Sequence, residues 1–279
     1  MIREIFVPLM QSPADRAALD SAIALANACH AHVSAMVALE HPVPVVTEFG
    51  YLPVEWGQRE LELARGSAEA AAAAARARLQ RETESSEVRL TEVFLLWSEE
   101  AAALQARQAD ISVMAHPGPD ESSPRFNLNF KSLLLNSGRP LLVVPQGAGL
   151  APPVTRAVIA WKPTAEAARA AHDALALLAP ACEVDLVMVD PQPREGGHGE
   201  EPGADMARHL ARHGLRVRVL ALPCEGNSEG ATLLRHVRES GAGLLVMGGY
   251  GHARWRELVL GGATRSVLED MQVPVLFSH

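Results

Sequence analysis

The chain is written twice, and that duplication limits its possible folds more than any other feature. The stretch IFVPLMQSPADRAALDSAIALA from Ile5 recurs in character as VIAWKPTAEAARAAHDALALLA from Val158. Each is an apolar strand, a turn and an alanine-rich helix. In register, Leu9-Met10-Gln11-Ser12 falls opposite Trp161-Lys162-Pro163-Thr164. A second strand follows in each half, HVSAMVAL from His32 and EVDLVMVD from Glu183. The ends match too: DISVMAHPG from Asp110 with GLLVMGGYG from Gly243, and GRPLLVVP from Gly138 with QVPVLFSH from Gln272.

Each half therefore reads β-α-β-α-β-α-β-α-β. Continuous Val/Ile/Leu runs alternating with helical patterns predict a parallel sheet covered on both faces. Right-handed crossovers make such a sheet doubly wound. The expected architecture is α/β: two Rossmann-like, doubly wound parallel five-stranded sheets, forming a pseudo-two-fold tandem repeat. Domains are expected at 1–146 and 154–279, joined by the glycine- and proline-rich Gln146-Gly-Ala-Gly-Leu-Ala-Pro-Pro153. Two segments break the symmetry. The apolar, aromatic insert 41–56, HPVPVVTEFGYLPVEW, reads as a loop packed on its own domain, or as a lid or oligomer contact. The stretch from Asp190 to Asp205 reads as a solvated loop.

Charge excludes some functions. The net charge is −8, and up to Ala148 there are 12 basic against 18 acidic residues, so neither half builds the basic face that nucleic acid requires. No apolar run is long enough to span a bilayer, and the N-terminus carries no secretory pattern. Cys29, Cys182 and Cys224 form no CxxC, which suits a thiol-reducing cytoplasm. A soluble, cytoplasmic protein without nucleic-acid or membrane partners is expected.

Doubly wound sheets bind ligands outside the C-terminal ends of their strands, where strand order reverses. In the second half those ends are Ala160-Trp161-Lys162, Val189-Asp190 and Met247-Gly248. Beyond Met247 the chain runs VMGGYGHARWRELVLGGATR, two glycine clusters around an amphipathic span. Gly248, Gly249 and Gly251 permit a tight turn with N–H groups facing a ligand. Gly261-Gly262-Ala263-Thr264 opens a helix running to about Asp270. A helix start favours phosphate through its unpaired amides and positive dipole end. Thr264 adds a hydroxyl, and His252, Arg254 and Arg265 are candidate charges. The same glycines also fit plain chain punctuation, with Trp255, Leu258 and Val259 as an ordinary apolar stripe.

The spacing Gly248-x2-Gly251-x9-Gly261 resembles the G-2x-G-9x-G-(S/T) signature of the universal stress protein family. IAWKPTAEAARA resembles that family's first strand and helix, and VPVLFSH its last strand. The chain is identified as a tandem member over essentially its whole length. The resemblance implies an adenine-nucleotide-binding fold (adenine-nucleotide α-hydrolase-like) whose last strands pair across a two-fold axis. It implies self-association, as an intrachain pseudo-dimer or a homodimer. It also implies ATP or a related adenine nucleotide in the C-terminal domain only. The implied site comprises Ala160, Trp161, Lys162, Val189, Met247, Gly248, Gly251, His252, Gly261, Gly262, Ala263 and Thr264.

The departures are specific. Gly262 stands where the family has Ser or Thr, leaving Thr264 as the hydroxyl. Lys162 replaces the acidic residue after the first strand, exchanging an acceptor for a cation. It is expected at the surface, in solvent or in an ion pair. Trp161 reads either as stacking on a base or as filling the pocket, with a core role preferred. The first half departs further: Ala115-His-Pro-Gly118 keeps one glycine, Phe126-Asn-Leu-Asn-Phe130 replaces the second cluster, and Met10 takes the acidic position. Phosphate binding is not expected there.

His30-x-His32 reads as surface histidines rather than a zinc site. No GxxxxGK[ST] or HExxH is present and no activated nucleophile or metal-held water is visible, so no enzymatic activity is expected, and any weak ATP hydrolysis lacks visible catalytic residues. The functional expectation is a stress-response protein that senses adenine nucleotide. The alternative is a member without nucleotide that acts by protein association.

Overall fold

The computed structural model describes residues 1–41, 46–47, 50–51, 54–94, 98–118, 124–191, 201–249 and 261–279. Two compact units emerge, one comprising Ile2–Met114 and Ser123–Arg139, the other Met1, Ala115–Ser122 and Pro140–His279. The N-terminal unit contains β1 (Glu4–Leu9), α1 (Asp15–Cys29), β2 (His32–His41), the short β3 (Val46–Thr47) and β4 (Gly50–Tyr51), α2 (Val54–Glu82), β5 (Ser86–Phe94), α3 (Ser98–Ala106), β6 (Ile111–Ala115) and α4 (Pro124–Asn136). The C-terminal unit contains β7 (Leu141–Val144), β8 (Val154–Ala160), α5 (Ala165–Ala174), β9 (Leu178–Val189), α6 (Ala204–Arg212), β10 (Arg216–Leu222), α7 (Glu229–Ser240), β11 (Leu244–Gly248), α8 (Gly262–Asp270) and β12 (Val275–Ser278).

The repeat read from the sequence is the repeat that folds. In the N-terminal unit the parallel strands lie in the order β6-β1-β2-β5. The C-terminal unit repeats that order as β11-β8-β9-β10 and adds β12 beside β11. Apart from the short β3 and β4 after β2 and the step from β7 to β8, strand and helix alternate, the doubly wound α/β arrangement that continuous apolar runs predict. β7, the last strand of the first repeat, pairs antiparallel with β12, the last strand of the second. The register sets Leu141 against Phe277, Leu142 against Leu276 and Val143 against Val275, and all six are fully buried. Burying each such side chain contributes about 1.5–3 kcal/mol, so this short strand pair is a main element of the unit's core.

Two boundaries differ from the sequence reading. The alanine-rich segment reads as helix to Ala179, but α5 stops at Ala174 and β9 begins at Leu178. Pro180 has no amide to continue a helix and disfavours helical backbone in the residue before it. The pairing of β8 with β9 shifts register between Val154 and Arg156. Residues 42–45, 48–49 and 52–53 of the 41–56 insert, and residues 192–200 of the segment read as a solvated loop, lie outside the described residues. His30 and His32 bond to Glu84 (3.2 Å) and to the Ser85 hydroxyl (2.7 Å), the surface role expected of them.

Inside the C-terminal unit one ionic cluster ties β9, β10 and α7 together. Asp185 on β9 accepts Nε and Nη2 of Arg218 on β10 at 2.9 and 2.7 Å, and its Oδ2 lies 2.8 Å from His236 Nε2 on α7. Burial alone raises a carboxyl pKa, but the hydrogen bonds and charges of Arg218 and His236 hold Asp185 below its ordinary 3.8. A carboxylate with a depressed folded-state pKa contributes stability above the unfolded value, and that stability is lost as pH falls through the folded value. Asp185→Asn should therefore lower the thermal midpoint at pH 7, with a penalty that shrinks as pH falls below the ordinary carboxyl pKa and the wild-type group protonates. Thermal unfolding monitored by circular dichroism across that range checks it.

Candidate functional site

Strand order in the C-terminal unit reverses between β8 and β11. From β8 the chain moves on to β9 and β10, and from β11 to β12 on the other side. The crevice that such a switch point leaves lies beyond Ala160 and Gly248. Around it, Ala160 and Trp161 are half-buried, and Val189 and Met247 are buried at 8% and 4% exposure. Trp161 donates its backbone N–H to Val187 O at 2.8 Å, which extends the sheet edge by one residue.

The glycines of this site divide by physical cause. A Cβ on Gly248 would stand 2.7 Å from Ala167 N and 2.8 Å from Glu166 C, backbone atoms of the first turn of α5. Gly248 is thus required by packing, because it lets α5 close over the end of β11. The next amide, Gly249 N–H, is used by Ser278 O at 2.8 Å. Gly230 is similar: its Cβ would meet Ala263 O and Ser266 Cβ, both at 2.8 Å, so its absence brings α7 against α8. Gly261 and Gly262 have no such reason. Neither has a positive φ, and among the described residues no atom lies within 4 Å of a Cβ at either position.

Three helix starts belong to this region, and two cap themselves. Thr164 accepts from Ala167 N at the head of α5, and Ser228 accepts from Ala231 N at the head of α7. Gly261 at the head of α8 has no side chain and provides no such cap. The first intrahelical bond there is Arg265 N–H to Gly261 O at 2.9 Å, so the amides of Gly262, Ala263 and Thr264 precede the ladder. Among the described residues, no side chain at the two leading positions crowds those amides. Thr264 itself is 3% exposed.

Lys162 is paired, as its surface expectation allows. Its Nζ lies 2.9 and 2.7 Å from the two carboxylate oxygens of Glu229, the first residue of α7. The acid missing from the end of β8 is thus replaced by one arriving from another helix, 67 residues later. Glu229 precedes Gly230, the contact point with α8, so the Lys162–Glu229 pair flanks the α8 start. Sequence reasoning missed Glu229, and the one signal was its place directly after the helix-capping Ser228. Gly251 and His252, with Arg254, Trp255, Leu258 and Val259, lie outside the described residues.

In the N-terminal unit Met10, directly after β1, is bonded from within the unit. Arg125, second residue of α4, donates from Nη1 to Met10 O at 3.2 Å and pairs through Nη2 with Glu40, near the end of β2. Asp15 accepts from Met10 N at 3.0 Å and from Ser12 N at 3.2 Å. Burial lifts the pKa of Asp15 above its ordinary value, against the lowering effect of those amides and of Arg125. Phe126 and Phe130 stack at 6.0 Å inside the core of this unit. In the first repeat, the guanidinium from the first turn of α4 is committed to Met10 O and Glu40.

The class that this fold and site define is a doubly wound α/β protein of two repeats, with an uncapped helix start at one switch point. The chain aligns over 99% of its length with 95% of a universal stress protein from Archaeoglobus fulgidus DSM 4304, at 14% identity and a TM-score of 0.71. A functionally unknown protein from Pseudomonas aeruginosa PAO1 aligns with 99% of this chain and 92% of its own, at 14% identity and a TM-score of 0.60. At such identities the likeness is one of fold. The family model described as "Universal stress protein family" matches residues 154–279. No curated protein matches the chain. The match to the universal stress protein family thus lies in the second repeat.

The two kinds of glycine respond differently to a methyl group. Gly248→Ala should destabilise the protein by about 1–3 kcal/mol, because the clash is with helix backbone. Gly262→Ala should be neutral or stabilising by up to about 1 kcal/mol, since alanine is the better helix former and the space is open. Urea unfolding of both variants checks the contrast.

Proposed function

We propose that the second repeat binds an adenine nucleotide and that the protein serves a stress response by sensing it, without turnover. The observation that carries this reading is the uncapped first turn of α8 behind Gly261 and Gly262, set beside the switch point of the sheet. Phosphate oxygens accept hydrogen bonds from the amides of Gly262, Ala263 and Thr264, at the positive end of the α8 dipole. Ala160, Trp161 and Val189 supply apolar surface for the base. The match of residues 154–279 to the universal stress protein family supports the same placement. The reading is of binding rather than hydrolysis, because Glu229 is engaged through both oxygens with Lys162 and is not free to activate water. The N-terminal unit takes no phosphate in this reading, since it lacks the glycine cluster and the Arg125 of its first helical turn is committed to Met10 O and Glu40. Among the described residues no helix is long and apolar enough to cross a membrane. With that and three free cysteines, the proposal places the protein in the cytoplasm.

Isothermal titration with Mg-ATP tests this directly. Wild-type protein should bind one equivalent per chain, with a Kd between about 1 μM and 1 mM. Gly262→Val should weaken binding at least about tenfold while leaving the urea midpoint unchanged, because its side chain enters open space. Absence of heat with wild-type protein at millimolar nucleotide overturns the proposal.

A further inference from the structure

Three histidines of the C-terminal unit stand together, and neither the core nor the switch-point site uses them. His209 and His213 lie one helical turn apart at the end of α6, and His172 occupies the last turn of α5. The His172 and His209 ring centres are 4.7 Å apart, and those of His209 and His213 are 4.8 Å apart. Nε2 of the central ring, His209, is buried without a hydrogen-bond partner, a state that costs free energy unless something satisfies it.

We propose that His172, His209 and His213 form a binding site for a borderline transition-metal ion such as Zn2+, Ni2+ or Cu2+. Imidazole nitrogen is the ligand these ions take most readily. Two histidines four residues apart on a helix share one face and chelate one ion. With metal–nitrogen bonds of about 2.0–2.1 Å, two imidazoles on one ion hold their ring centres roughly 4.5–5.5 Å apart, the spacing of both pairs here. Among the described residues no ready-made donor set surrounds a common point, so the rings must turn to meet an ion. His172 and His213 are exposed and free to do so.

The surroundings contribute in both directions. Both helices present their C-terminal ends, where the dipole favours a cation. Burial, then the neighbouring His172, His213 and Arg212, lower the His209 pKa and keep the ring in the neutral form that binds metal. Arg212 itself opposes a divalent ion. Arg208 is paired with Asp205, which balances its charge. Bound metal would clip the end of α5 to the end of α6, a helix whose described residues bury only Leu210.

Zinc titration calorimetry on the full-length apo chain, with Cu2+ electron paramagnetic resonance, tests the proposal. Wild-type protein should take one equivalent of Zn2+ with a Kd below about 10 μM. His209→Asn and His172→Asn should each weaken binding at least about tenfold, and Arg212→Ala should tighten it. The Cu2+ spectrum should show nitrogen hyperfine structure that His209→Asn reduces, while the distant His30→Asn leaves it intact. Circular dichroism verifies that each variant folds. No saturable Zn2+ binding up to about 1 mM overturns the site, as does binding unchanged in both His209→Asn and His172→Asn.

Discussion

The second-repeat site depends on one constraint of topology. Because the chain leaves β8 toward β9 and leaves β11 toward β12, the connections after these neighbouring strands diverge and cannot cover the strand ends between them. The surrounding helices then close in as far as their backbones permit. Gly248 admits the first turn of α5, and Gly230 admits α8 against α7. Thr164 and Ser228 satisfy two of the three helix starts brought there. What remains at α8 is a helix start without a side-chain cap, whose first three amides precede the helical ladder and which, among the described residues, has no atom within 4 Å of a Cβ at Gly261 or Gly262.

The two repeats share this topology and differ in a few side chains. Arg125 in the first turn of α4 is held by Glu40 and the Met10 carbonyl. The carboxylate balances the charge of the guanidinium. In the second repeat the charges are arranged differently. Lys162 and Glu229 neutralise one another beside the α8 start. One repeated pattern thus carries two different charge arrangements, and the antiparallel pair of β7 with β12 joins the last strands of both repeats.

Much of this was legible in the sequence, for identifiable reasons. Buried parallel strands need continuous apolar runs, so the runs at Ile5, Asp110, Val158 and Gly243 marked strands and their order marked the repeat. The start and end of α8 were legible because glycine, then helix formers, then Met271 and Pro274 leave little choice. The distinction between Gly248 and Gly261–Gly262 was not, since a glycine letter does not say whether its missing side chain makes room for a helix or for a ligand. Glu229 was hidden for a related reason: its partner is 67 residues away and is chosen by how α7 docks. The His172 contact with the His209–His213 pair is likewise a product of the fold. Arg125, Glu40 and Met10 come from three separate parts of the chain, and only the fold shows that they meet.

The central claim is that phosphate is held by the amides at the α8 start and not by the equivalent helix start of the first repeat. Amide nuclear magnetic resonance of 15N-labelled protein, recorded during titration with Mg-ATP, measures this residue by residue. The account predicts saturable shifts concentrated at Gly262, Ala263 and Thr264, with the amides of Arg125 and Phe126 unmoved. Shifts centred on the α4 start, or none at the α8 start under saturating nucleotide, would contradict it.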